Sequence, residues 1–329
     1  MKYVVAFIMI SLIISCNNFR EFNEQSKTKK LQKEFKSYTQ ENPSGNGSFE
    51  EKYNKTLELW DIPFVELYIE TNYGLTHIIV SGNKDSIPIV LLHGMNASST
   101  MWYPNIKSFS NNNRVYAIDY ILDAGKINSN AKIKTLEDLN NWFSEVLVHL
   151  DLGKVNLVGI SQGGWQATLF TISSPDKINK LVLLSPAQAL NWAKPGFDLV
   201  RNIIYNINPK RENTENLLKT LSVDVGGINP LFIDQFYAST KLTPFNEFTM
   251  KMQPFADEEL NSIKVPVLLL VGDHDIFNDE ESIERAKDVI KNVKCEIIKN
   301  SGHFLTFDQT EIVNEKVVSF LNSNEFNHN

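Results

Sequence analysis

Cysteine is nearly missing from this chain: Cys16 and Cys295 are the two in 329 residues, so no disulfide framework staples the fold. None is needed, because a folded part of more than about 250 residues buries a sizeable core. An excess of positive charge is missing too, the formal net charge being −7 at pH 7. That balance argues against a nucleic-acid partner and against electrostatic attachment to an anionic membrane surface. No zinc, haem or P-loop spacing appears and no internal repeat is evident, so no metal or cofactor is expected. The N-terminal apolar run, Tyr3 to Ile14, falls short of the ~20 residues that a membrane-crossing helix needs.

What the chain does have is Gly159-Ile160-Ser161-Gln162-Gly163, placed after the apolar run Lys154 to Val158 and before a helical pattern. A glycine on each side of the serine permits a cramped strand-to-helix turn that a Cβ would obstruct, and that turn lifts the Ser161 hydroxyl clear of the sheet edge. A serine hydroxyl is a weak nucleophile. It needs a histidine to take its proton and a carboxylate to orient that histidine. Candidates for both lie downstream. Val265 to Val271 reads as a buried strand ending in Gly272-Asp273-His274-Asp275, and the carboxyl ends of strands are where open α/β sheets assemble their sites. Cys295 to Ile298 reads as a further strand, followed by Asn300-Ser301-Gly302-His303, which makes His303 the candidate base.

The order Ser161, Asp275, His303, with the serine on a strand, turn and helix, resembles the α/β-hydrolase superfamily from about Trp60 to Leu321. Leu91-Leu92-His93-Gly94-Met95, the serine elbow, Gly272 to Asp275 and Gly302-His303 look like its lid-bearing esterase and lipase branch. The resemblance implies an acid three residues after the strand-end glycine. That favours Asp275 and leaves Asp273 as a turn cap. After the strand Lys180 to Leu184, where some members carry the acid, stands Ser185-Pro186 with no carboxylate. The resemblance also implies an oxyanion hole made by the backbone N–H groups of Met95 and Gln162. His93 would pack and hydrogen-bond that loop without handling protons. The loop lacks the triple glycine of the HGGG esterases, a departure from one branch of the family only.

Alternation of apolar runs with helical patterns predicts an α/β-hydrolase fold, a mostly parallel doubly wound sheet of about eight strands. Phe64 to Glu70 and Leu75 to Val80 read as an antiparallel hairpin. Ile87 to Leu92, Arg114 to Ile118 and the strands already named follow. Between Pro186 and Ile263 the alternation lapses, where the family inserts a helical cap over the site. Trp165, Phe232 and Phe236 are candidate pocket residues, with Tyr237, Phe245, Phe248 and Phe255 beside them, although such aromatics also serve simply to pack a cap on its core. Of the other histidines, His77 in its alternating strand and His149 near a helix end read as structural, His274 as a turn residue and His328 as part of a frayed tail.

Met1 to Ser15 has the plan of a signal peptide, and Ile13-Ile14-Ser15-Cys16 looks like a bacterial lipobox, which implies lipid attachment at Cys16 and an exported lipoprotein on the cell or outer membrane. Residues 16–55, rich in Asn, Lys, Glu, Gln and Ser, read as a polar tether, with a short helix suggested by Leu31, Phe35 and Tyr38 on one face. The expected division is then a hydrolase core over 56–187 and 261–329 with a cap over 188–260. The expected activity is that of a serine carboxylesterase acting on a small or medium ester. Thioesterase, amidase, carbon–carbon hydrolase and perhydrolase chemistry remain alternatives, as does a non-catalytic surface-tethered binding protein, and nothing specifies an oligomeric state.

Overall fold

The computed structural model describes residues 24–35, 48–83, 86–130, 132–243 and 248–323. The leader, Cys16, Tyr38 and Phe245 lie outside the described residues. Helix α1 covers residues 24–34. There follow α2 (Ser48–Leu57), β1 (Phe64–Thr71), β2 (Gly74–Ser81), β3 (Ile89–Leu92), α3 (Ile106–Phe109), β4 (Val115–Ile118), β5 (Asn128–Ser129), α4 (Leu136–His149), β6 (Val155–Ile160), α5 (Gln162–Ser173) and β7 (Ile178–Leu184). The remainder is α6 (Phe197–Ile207), α7 (Arg211–Leu221), α8 (Pro230–Leu242), α9 (Asp257–Asn261), β8 (Val267–Gly272), α10 (Glu280–Val289), β9 (Val293–Ile298), α11 (Leu305–Asp308) and α12 (Thr310–Asn322).

The strands form one sheet in the order β1-β2-β4-β3-β6-β7-β8-β9, with β5 paired to the start of β2. The β1–β2 and β2–β4 pairs are antiparallel, and from β4 to β9 along that order the pairing is parallel. Strand order reverses between β3 and β6, and the crevice at the carboxyl ends of two such strands is where this architecture binds ligands. The expected strands are present with ends moved by one or two residues. The ninth, β5, has two residues and no apolar run to announce it.

Helices cover both faces of the sheet. On one face Trp142 and Phe143 of α4 pack on Phe170 of α5, with the Phe143 and Phe170 rings stacked at 4.0 Å. On the other lie Trp102, Phe109, Phe232 and Val317, all buried. Some helix starts are capped by side chains: Thr135 and Asp138 form a reciprocal capping box on α4, and Asp279 accepts from the Ser282 N–H at the start of α10.

Two expectations need correction. The strand around His77 alternates in composition, but β2 is buried along its whole length because α2 covers the His77 face and Trp142 the Thr76 face. The stretch taken for a tether is partly folded body. Phe49, Tyr53 and Leu57, spaced four apart, bury one face of α2, so the expected boundary at residue 55 falls inside a core helix. Leu31 and Phe35 are buried as well, and Glu34 forms a two-pronged ion pair with Arg114, the residue just before β4.

Helix α6 has inverted polarity. Asn202, Tyr205 and Asn206 face inward, while Phe197, Val200, Ile204 and Ile207 are exposed.

Candidate active site

Ser161 sits between the last residue of β6 and the first of α5 with φ 53° and ψ −120°. A non-glycine residue at positive φ costs on the order of 1–3 kcal/mol and persists only where its surroundings fix it. The flanking glycines are what make the turn sterically feasible. A Cβ on Gly159 would lie 2.2 Å from the Gly163 carbonyl oxygen, and one on Gly163 would lie 2.2 Å from that of Leu92.

His303 and Asp275 come to this serine from the carboxyl ends of β9 and β8. His303 Nε2 is 2.8 Å from Ser161 Oγ, and His303 Nδ1 is 2.9 Å from Asp275 Oδ1. A carboxylate can only accept, so the neutral imidazole carries its proton on Nδ1 and turns the Nε2 lone pair to the hydroxyl. The Asp275 side chain has no exposed surface. Burial pushes its carboxyl up, but the imidazole, the Phe277 N–H and the Asn278 amide outweigh that and hold it below the usual carboxylate range. His303 is wedged between the rings of Phe277 at 4.6 Å and Phe304 at 6.1 Å. The serine is 9% exposed and the histidine 2%, so the three groups lie under cover. Asp273 stays apart, accepting from the Ser301 N–H at 3.1 Å and pairing with the exposed His274.

The loop after β3 runs against the nucleophile: a Cβ on Gly94 would stand 3.4 Å from the Ser161 Cβ. Among the described residues the backbone N–H groups of Met95 and Gln162 bond no other protein group. His93 Nε2 accepts from the Tyr120 N–H at 3.0 Å, which fixes its proton on Nδ1, bonded to the Gly94 carbonyl at 2.8 Å. Its two nitrogens thus tie the loop after β3 to the segment after β4.

The aromatic candidates are packed. Trp165 stacks on Phe255 at 5.2 Å and donates its indole N–H to the Gln253 carbonyl. Phe232 contacts Tyr103, Phe236 and Phe307, and Phe236 meets Phe304, the neighbour of His303.

A second polar cluster escaped sequence reasoning. His77 bonds Asp119 through Nδ1 and Glu66 through Nε2, both at 2.9 Å, and Tyr53 and Lys126 close the group. Burial disfavours a charged His77, but the two carboxylates outweigh it and raise its pKa. For Asp119, burial is likewise outweighed by His77, and its carboxyl lies far below the ordinary range. These partners are far apart in sequence, so only the fold reveals them.

Known proteins are similar to this chain along most of its length. Residues 87–213 match the α/β hydrolase fold family. The uncharacterized carboxylesterase nap of Bacillus subtilis (strain 168) is 35% identical over 291 residues, 85% of this chain and 94% of that one. Carboxylesterase YbfK of the same organism is 35% identical over 83% of this chain and 93% of its own. The crystal structure of naproxen esterase (carboxylesterase NP) from Bacillus subtilis has a TM-score of 0.77 at 34% identity, covering 83% of this chain and 97% of that chain. The chain belongs to the α/β-hydrolase family.

Proposed function

We propose that this protein is a serine carboxylesterase in which Ser161 is the nucleophile, His303 the general base and acid, and Asp275 the residue that orients His303. The observation that carries the reading is the unbroken line from Ser161 Oγ through His303 to the buried Asp275, with bonds of 2.8 and 2.9 Å. The carboxylesterases at 35% identity support the choice of an ester over the other acyl and carbon–carbon substrates.

In this mechanism Ser161 Oγ bonds the ester carbonyl carbon as His303 Nε2 takes the hydroxyl proton. The carbonyl oxygen becomes an oxyanion, held by the N–H groups of Met95 and Gln162. Collapse breaks the bond to the alkoxy oxygen, which leaves as the alcohol with the proton from His303. Water then gives a proton to His303 and attacks the acyl-enzyme, and return of that proton to Ser161 frees the acid.

The test is Ser161→Ala with a nitrophenyl ester series and a fluorophosphonate probe. Turnover should fall about a millionfold and labelling should vanish; a folded mutant that retains turnover removes the assignment. The proposed setting is a lipid-anchored exported enzyme held through Cys16, a reading supported by the apolar Tyr3 to Ile14 run ahead of Ser15-Cys16. Cys16→Ala should move the protein from the membrane to the soluble fraction, and continued membrane retention would count against the lipobox.

A further inference from the structure

We infer that Asp123 positions the oxyanion loop by tying it to the helices between β7 and β8, so that the seating of this cap sets the aim of the Met95 amide. The inference rests on the proposed roles of Met95 and Ser161.

The loop after β3 needs to be held. Asn96 and Ser98 both take positive φ, 63° and 59°, in a stretch that contains no glycine after Gly94. Side-chain-bearing residues in that region revert unless several bonds fix them. Asn96, which shares a peptide unit with Met95, is the point most heavily restrained. Its N–H donates to Asp123 Oδ2 at 3.0 Å, and its side-chain Nδ2 donates to Asn206 Oδ1 of α6 at 2.9 Å. Further along, Ser98 Oγ donates to the Ala124 carbonyl at 2.7 Å, and Thr100 Oγ1 donates to Gln235 Oε1 of α8 at 2.9 Å.

Asp123 is where loop and cap share one carboxylate. While Oδ2 takes the Asn96 N–H, Oδ1 accepts from the Ala124 N–H at 2.7 Å and from Thr243 Oγ1, just past α8, at 3.0 Å. The residue is 3% exposed, and its bonded partners are all neutral donors. Burial pushes its carboxyl above the ordinary range, so an ionised group there is costly, which argues for a positional duty. The inverted polarity of α6 fits the same account. That helix leaves apolar residues in water and turns inward Asn206, the partner of Asn96.

An oxyanion donor acts only when aimed at the oxygen of the tetrahedral intermediate, so misaiming it should lower kcat and spare KM. Asp123→Asn keeps shape but replaces one acceptor oxygen by a donor. Thr243→Val removes the cap's bond and leaves the carboxylate. The measurements are kcat and KM on a nitrophenyl ester, thermal unfolding, and affinity for a trifluoromethyl ketone. Ser161 Oγ adds to the ketone carbon and passes its proton to His303, creating an oxyanion that reports the hole.

Asp123→Asn should lower kcat and ketone affinity together by about tenfold to a hundredfold at unchanged KM, and Thr243→Val should do the same by about threefold to tenfold. Both are less than the roughly hundredfold to thousandfold cost of losing an oxyanion donor outright, because the donor is misaimed and not removed. If Asp123→Asn fails to fold, Thr243→Val decides alone. Folded variants within about twofold of wild type in kcat and ketone affinity would overturn the inference, as would equal damage to kcat and KM. Ser161→Ala, run alongside, separates the cases. Loss of turnover there with inert clamp variants removes the clamp only, whereas persistent turnover removes the site assignment itself.

Discussion

Two histidines in this molecule bond an aspartate through Nδ1 at 2.9 Å, and their other nitrogens give them opposite characters. His303 turns Nε2 to the hydroxyl of Ser161, whereas His77 turns it to a second carboxylate, Glu66. An imidazole between carboxylate and hydroxyl has a lone pair to accept a proton. One between two carboxylates is drawn to the doubly protonated state and has none to offer. The difference also shows in placement. His303 stands on the loop after β9 and reaches across to Ser161 at the switch point of the sheet, while His77 is locked in β2 under the Tyr53 and Tyr68 rings. The composition of a buried cluster therefore does not define a site. What matters is which atom the second nitrogen faces.

The sharpest way to break the pair is to remove each imidazole. His303→Ala should cost about a millionfold in kcat on an ester substrate, with thermal stability close to wild type. Next in size, Asp275→Asn should cost about ten-thousandfold, because the amide donates to Nδ1 and favours the wrong tautomer; burst kinetics with a nitrophenyl ester would read it. His77→Leu should leave kcat per titrated active site unchanged but lower unfolding free energy by about 3–5 kcal/mol, since Asp119 keeps its burial and loses the imidazole bonded to it. Denaturant melts would measure that loss.

Acid titration sharpens the contrast. Asp119 and Glu66 titrate below their ordinary range when folded. Their stabilisation is therefore present above about pH 4 and is lost as the pH falls through the folded values. His77 is raised, so its contribution is complete below about pH 6.5 and disappears as the pH climbs through its folded value. Urea midpoints should decline on acidification in the wild type and decline less steeply in His77→Leu, where the cation depressing both carboxyls is absent. The smallest effect belongs to Asp273→Asn, expected within about twofold of wild-type kcat, because Asn can still accept from the Ser301 N–H that Asp273 holds.

The line of Ser161, Asp275 and His303 was legible because a serine between glycines, a strand-end Gly-Asp-His-Asp and a late Gly-His are local patterns in a telling order. Apart from β5, the strands were legible for the same reason, as short apolar or alternating runs. What stayed hidden depends on distant partners. Nothing near Asp123 in the chain points to Thr243, and nothing near Asn96 points to Asn206. The folded N-terminal segment was hidden differently. Few apolar residues sit in polar surroundings there, and the spacing of Phe49, Tyr53 and Leu57 carries a signal that composition dilutes.

Helix α1 clasps the sheet where its parallel strands begin, through Glu34 and Arg114, while Ser161 stands where they end. A pull on the N-terminus thus grips the molecule by its back. In the proposed anchored enzyme the load would fall on that ion pair and on Leu31 and Phe35 before it reached any catalytic loop, so the proposed anchorage and the chemistry are mechanically separate, with the working face pointing away from the hand that holds it.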